Sequence, residues 1–165
     1  MAPLAVGMTT TGIEWSVHAC PANAYREISS VFPSLGPNLE RLLIVPTCQH
    51  AAVDLVQTGD IIEQEKDALL EKFMAWASTV CNLLIAQGHW AEYIDPCSGL
   101  PMIQREGNTV YAEVEALSQL MGYKTANAGC CKVLLHPRWG SAVYPASLFT
   151  TAPPEQLLQL LQPDA

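Results

Sequence analysis

One stretch of the chain carries a helical apolar stripe more clearly than any other. Ile62, Leu69, Phe73, Trp76, Val80 and Leu84 recur at a spacing that predicts a helix from about Ile61 to Gln87. Asp60 and Glu63 read as a capping box at its start, and Gly88 stands where a left-handed residue closes a helix. Glu63, Glu65, Lys66, Asp67, Glu71 and Lys72 line the opposite face of the first half, whereas beyond Phe73 nearly every side is apolar. The second half is therefore expected to be buried on more than one side, which makes this one long helix the center of the fold.

Elsewhere the pattern is shorter. Residues 1–24 are small and polar with no firm period and are expected to form a poorly ordered N-terminal segment, ahead of a single domain over residues 25–165. Tyr25, Ile28, Val31 and Phe32 make an amphipathic patch closed by Pro33 and Pro37. The unbroken run Leu42 to Val45, between Arg41 and Pro46, predicts a buried strand. Further strands are expected at Trp90 to Ile94, Thr109 to Tyr111 and Cys130 to His136, and at Val143 to Phe149, where Pro145 implies an edge or a bulge. Asp95-Pro96-Cys97-Ser98-Gly99 reads as a turn, and Ala112 to Met121, closed by Gly122, as a short helix. At the C-terminus Thr151 is the expected cap of a helix with Pro153 and Pro154 in its first turn and Leu157, Leu158 and Leu161 as its stripe. Strands mixed with helices, without regular strand-helix-strand alternation, predict an α+β fold with a mostly antiparallel sheet packed with helices.

Composition narrows the function. A chain of 165 residues, half of them apolar, suffices for one domain with a sizeable core. Sixteen acidic against eight basic residues give a formal net charge of -8, the wrong sign for a phosphate backbone, so neither nucleic acid nor an anionic membrane is an expected partner. The six cysteines lack the spacing of a secreted disulfide framework, and no unbroken apolar run approaches the roughly 18 residues of a membrane span. A reducing, cytoplasmic setting is expected. No basic residue precedes Arg26, so residues 1–12 lack the arginine-rich character of a mitochondrial presequence.

The candidate chemistry lies in Gly129-Cys130-Cys131-Lys132. In a strand from Cys130 to His136, Cys131, Val133 and Leu135 share one face, and Cys130, Lys132, Leu134 and His136 share the other. Cys131 then reads as core. Cys130 is the candidate reactive thiol, because the Lys132 ammonium two residues away favors a thiolate and Ala128-Gly129 leave little bulk in front of an approaching partner. The competing readings are plainer. A strand cysteine by itself is most often an inert small hydrophobe. Cys48 with His50, or Cys97 with His89, suggests zinc only without the support of a Cys-x-x-Cys word. His136, six residues from Cys130, is about 20 Å away along a straight strand, too far for a Cys-His nucleophilic pair. Trp76, Trp90 and Trp139 read as core or interface anchors.

Several long words then carry a resemblance. They are Glu40 to Gln49 (Glu-Arg-Leu-Leu-Ile-Val-Pro-Thr-Cys-Gln) with Ala51 to Val56, and Glu65-Lys66-Asp67 with Leu69 to Phe73. Tyr93-Ile94-Asp95-Pro96 with Ser98-Gly99-Leu100 follows, and then Gly129 to Val133 with His136, Trp139-Gly140 and Phe149-Thr150. In this order they resemble the cobalamin-trafficking chaperone family CblD, the type D family of combined methylmalonic aciduria and homocystinuria, from about Tyr25 onward. The resemblance implies a modified nitroreductase-like fold in a non-enzymatic adaptor that is cytoplasmic or mitochondrial. It implies a CblC-type partner holding cobalamin, with delivery toward methionine synthase or methylmalonyl-CoA mutase, and no cofactor bound by the chain alone. It further implies that the first cysteine of the word, Cys130, places its sulfur on the cobalt of the partner's cobalamin, with Gly129 and Lys132 beside it. The alternative, a flavin-dependent nitroreductase-like oxidoreductase, rests on fold alone and lacks a glycine-rich phosphate loop.

Overall fold

Strand β3 (Leu43–His50) is buried from Leu43 to Gln49, as an apolar strand must be when both of its faces are covered. It is the middle of a five-stranded antiparallel sheet in the order β1-β2-β3-β7-β4, with β1 (Ala5–Met8), β2 (Ile13–Ala19), β4 (Ala91–Tyr93) and β7 (Val143–Thr150). The computed structural model describes residues 2–162; residue 1 and residues 163–165, the outer ends of the expected N-terminal segment and domain, lie outside the described residues. The fold is α+β.

Each face of the sheet has its own helical cover. On one side α2 (Asp60–Ala86) and α4 (Pro154–Leu161) bring Phe73, Ala77, Val80, Leu84, Leu157 and Leu161 onto Trp15, Val17, Val45 and Leu148. On the other, α1 (Tyr25–Val31), the 3-10 segment Pro33–Arg41 and α3 (Glu113–Met121) bring Ile28, Phe32, Leu35 and Leu120 onto Ile44 and Phe149. By length and hydropathy α2 would suffice to cross a membrane, which the lack of an unbroken apolar run conceals. Its stripe is instead laid on one face of the sheet, and beyond Phe73 the helix is covered on that side alone, with Leu83 and Ile85 exposed, which corrects the expectation of burial on more than one side.

Several expectations are corrected. Within residues 1–24, β1 and β2 form a hairpin whose Ile13, Trp15 and Val17 are fully or almost fully buried, so this region is part of the sheet rather than a poorly ordered segment. Ile13, Trp15 and Val17 alternate with Glu14, Ser16 and His18, the period of a strand, and Ser16 and His18 are buried as well, so β2 is covered on both faces. β3 runs on through Pro46, and the β2–β3 ladder lapses opposite Val45 and Pro46, where the missing N–H would fall. β7 is internal, yet Pro145 lies beyond the end of the short β4, where that side of the strand is open. Thr109 to Tyr111 is not a strand. Neither the Asp60 box nor the Thr151 cap forms: the N-cap positions are Gly59 and Pro153, without side-chain caps. Gly88 does close α2, with φ at 89° and its N–H donated to the Ile85 carbonyl.

One buried charge organizes the far end of the sheet. Glu92, in β4, is fully buried. Its Oε1 accepts the backbone N–H groups of Tyr93 (2.8 Å), Met102 (3.1 Å) and Ile103 (2.8 Å), and its Oε2 that of Gln104 (2.6 Å). The segment after the Asp95–Gly99 turn is thereby tied back onto the strand that precedes it. Glu92→Gln removes the charge and replaces one accepting oxygen by a donor, so it should lower unfolding stability by about 2–3 kcal/mol. The measurement is a urea midpoint that falls at constant slope; an unchanged midpoint would mean that these N–H groups find other acceptors.

Candidate functional site: a cysteine pair at a hairpin tip

Gly129 and Cys130 make the two-residue loop between β5 (Lys124–Ala128) and β6 (Cys131–Leu135), with Ala128 paired to Cys131. Gly129 has φ at 64°, the glycine-first geometry that suits the twist of a tight hairpin. Both cysteines are exposed. This corrects two expectations: Cys130 belongs to the turn rather than to the strand, and Cys131 is not core. The inward face of β6 is the one carrying Leu134 and His136, both buried, while Cys131, Val133 and Leu135 lie on the more open face. Apolar alternation misled because this ribbon is a separate two-stranded sheet with only one covered side. Lys132 pairs across the ribbon with Asn127, and its Nζ lies 3.7 Å from Glu115 Oε1 of α3. Its ammonium thus serves the contact between hairpin and helix, a half-exposed ion pair of small energetic weight.

The ribbon is held at its base. Leu134 joins Cys48, Leu117 and Val143 in a small cluster between the ribbon, α3 and the sheet. His136 Nε2 is 2.8 Å from Glu14 Oε1, and its Nδ1 accepts the Arg138 N–H at 3.1 Å, so Nε2 carries the proton and donates it. Arg138 also pairs with Glu14. Trp139 is stacked between His136 (3.9 Å between ring centers) and His50 (5.0 Å). Sequence reasoning placed His136 on the face of Cys130 but missed Glu14, since nothing in a linear pattern joins residues 122 positions apart.

Cys48 is drawn toward Glu14 and His136 rather than toward His50 as a ligand partner: among the described residues, ligand atoms of these three lie within 4.8 Å of one another. Burial, with the Glu14 and Glu113 carboxylates nearby, pushes the Cys48 thiol far up, and both His136 nitrogens are already engaged. Glu14 and His136 form a hydrogen-bonded anchor, with Cys48 packed beside it. His18 pairs with Ser16 at 2.9 Å and His89 with Gln156. Among the described residues no histidine shares a hydrogen bond with a cysteine, so the structure assembles no thiol-hydrolase pair.

Behind the ribbon, Glu113 begins α3 and accepts the Ser147 hydroxyl at 2.6 Å, while its other oxygen is buried without a partner. Burial raises this carboxyl from 4.5 to about 7. The folded chain therefore holds a proton that the unfolded chain releases. The associated stability is fully present below about pH 4.5 and is lost as pH rises through 7. The loss should reach on the order of 3 kcal/mol, and Glu113→Gln should flatten that part of the pH profile. An unaltered profile in the variant would assign the dependence to other groups.

A family model described as methylmalonic aciduria and homocystinuria type D protein matches residues 7–161. The chain belongs to this family. The match begins well before Tyr25, in agreement with the structured N-terminal hairpin. The chain is 34% identical over 140 residues to the rat protein named cobalamin trafficking protein CblD, covering 85% of this chain and 47% of that protein. To the human protein of the same name it is 33% identical over 143 residues, covering 87% and 48%. The chain spans about half the length of the curated relatives it matches.

The thiol inventory gives a direct check of the geometry. Cys97, Cys130 and Cys131 are exposed, whereas Cys20, Cys48 and Cys81 are buried, with the Cys20 thiol pushed by burial to about 11. Three thiols per chain should react with a disulfide reagent in the native state, and the remaining three only on unfolding. Protection of Cys131 would restore the core assignment that the structure rejects.

Proposed function

We propose that this chain is a cobalamin-trafficking adaptor that offers the Cys130 sulfur as an axial ligand to the cobalt of cobalamin held by a CblC-type chaperone. The observation that carries the reading is the placement of Cys130: exposed, at the outermost turn of a ribbon, next to a glycine with no side chain. A corrin enclosed by another protein is reached by a projecting sulfur and not by one at the floor of a pocket. The family, and the names of the rat and human relatives, supply the cargo.

The chemistry needs little from the chain beyond this presentation. A soft thiolate suits a transition metal with an open axial position, and the metal itself draws off the thiol proton on coordination. Lys132, engaged with Glu115, acts in this reading by fixing the ribbon against α3. The role is one of binding and handover, without turnover, toward methionine synthase or methylmalonyl-CoA mutase. Six free thiols suit a reducing compartment. We take the sheet with helices on both faces as the modified nitroreductase-like arrangement.

A flavin reductase would need cations to receive the phosphate of its cofactor. A cavity of about 720 Å³ between β1, α2 and α4 has no charged residue among its described lining, and one of about 440 Å³ beside α1 and α3 is lined by Glu27 and Glu115. Arg138, at the mouth of a third, is paired with Glu14. These linings favor the adaptor.

The test is spectroscopy of cob(II)alamin bound to the CblC-type partner, with and without this protein. Addition of the chain should give the signature of a sulfur ligand, Cys130→Ser should abolish it, and Cys131→Ser should keep it with stability within about 0.5 kcal/mol of wild type. Loss of the signal in Cys131→Ser alone would place the donor one residue too early, and a purified chain carrying yellow flavin would favor the reductase.

A further inference from the structure

We propose that Cys130 and Cys131 together form a dithiol clamp for thiophilic ions, with trivalent arsenic as the defining ligand. Of the three exposed cysteines only these two adjoin; Cys97 stands alone in the Asp95–Gly99 turn, where its backbone N–H is donated to Asp95. Their immediate neighbors, Ala128 across the ribbon and Gly129 in the loop, leave the sulfurs unobstructed.

The spacing selects the ligand. The two residues are joined by a trans peptide, which sets their Cα atoms about 3.8 Å apart, below the roughly 4.4 Å at which disulfides begin to be found. Direct closure to a disulfide therefore works against the hairpin backbone. An ion inserted between the sulfurs removes that conflict. With metal–sulfur bonds of about 2.3 Å, the two sulfurs stand roughly 3–4 Å apart; Cys130, as a turn residue, is free of the alternation that holds neighboring strand side chains on opposite faces, so rotation about χ1 can bring the pair to that separation. Soft, two-thiolate coordination is the preference of such ions, and a site at a loop tip needs no cavity to admit them.

With phenylarsine oxide the step is a condensation without redox change. The arsenic–oxygen double bond is replaced by two arsenic–sulfur bonds, and the two thiol protons leave in one water. Two-point attachment at this effective concentration should hold the adduct about 10²–10⁴ times more tightly than either sulfur alone. The consequence for the proposed function rests on that reading: with both sulfurs on arsenic, no free thiolate is left for cobalt.

The experiment is intact mass spectrometry of the full chain treated with phenylarsine oxide in excess 2-mercaptoethanol. One phenylarsenic group per chain should remain, and 2,3-dimercaptopropanol should remove it. Cys130→Ser and Cys131→Ser, each checked for native circular dichroism, should each lose the monothiol-resistant adduct, while Cys97→Ser should retain it. Survival of the adduct in either hairpin variant, or its absence from wild type, overturns the clamp. The cobalt arm is separate: if the arsenical forms its adduct but leaves the cobalt–sulfur signature of the partner complex intact, the clamp stands and the donor assignment fails.

Discussion

A two-stranded ribbon is marginal on its own in water, and β5–β6 shares no ladder with the five-stranded sheet, so the cysteine tip is only as well placed as the ribbon's inner face is held. That face is short. Leu134 supplies apolar contact with Cys48, Leu117 and Val143, and His136, two residues further along, donates to Glu14 of β2. The apolar contact gives the ribbon somewhere to lie, and the directional bond decides which way it points. Trp139, stacked on two imidazoles, closes the base, and the far end of the ribbon is exposed.

The same acid-rich chain handles one buried and two half-buried carboxylates in three ways, and the donors within reach decide which. Glu92 collects backbone N–H groups on both oxygens and remains a structural tie. Glu14 has the His136 ring and the Arg138 guanidinium. Glu113 has one hydroxyl and an orphan oxygen, so burial raises its carboxyl to about 7. A carboxylate that is rich in donors fixes backbone, whereas one that is poor in them makes stability depend on pH.

Membership of the type D family and the hairpin geometry bear on each other. Gly129-Cys130-Cys131-Lys132, inside the matched region, is the turn and first strand residues of the ribbon, so what looks like a linear motif is a hairpin tip with two exposed sulfurs. The lysine of the word reaches α3 rather than standing free beside the thiol. Its place in the motif is therefore explained by the attachment of the ribbon as much as by the chemistry of the cysteine.

The long helix, its glycine stop, the turn at Asp95, the short helix ended by Gly122 and the C-terminal stripe were all legible in the chain, because helical period and turn residues act over a few neighbors. So was the exposed thiol at Cys130, although by an argument that put it in a strand. What tertiary structure alone decided was every question of which face is covered. The alternation of Ile13, Trp15 and Val17 with Glu14, Ser16 and His18 was legible as a strand, but that its polar side is covered too was not, and Cys131 was misplaced because its ribbon has one side uncovered. The Glu14–His136 anchor and the donors around Glu92 join residues far apart in sequence or groups of the backbone itself. Side-chain type and period are local properties, whereas burial and hydrogen-bond partnership belong to surfaces that exist only once the sheet and its two helical covers have met.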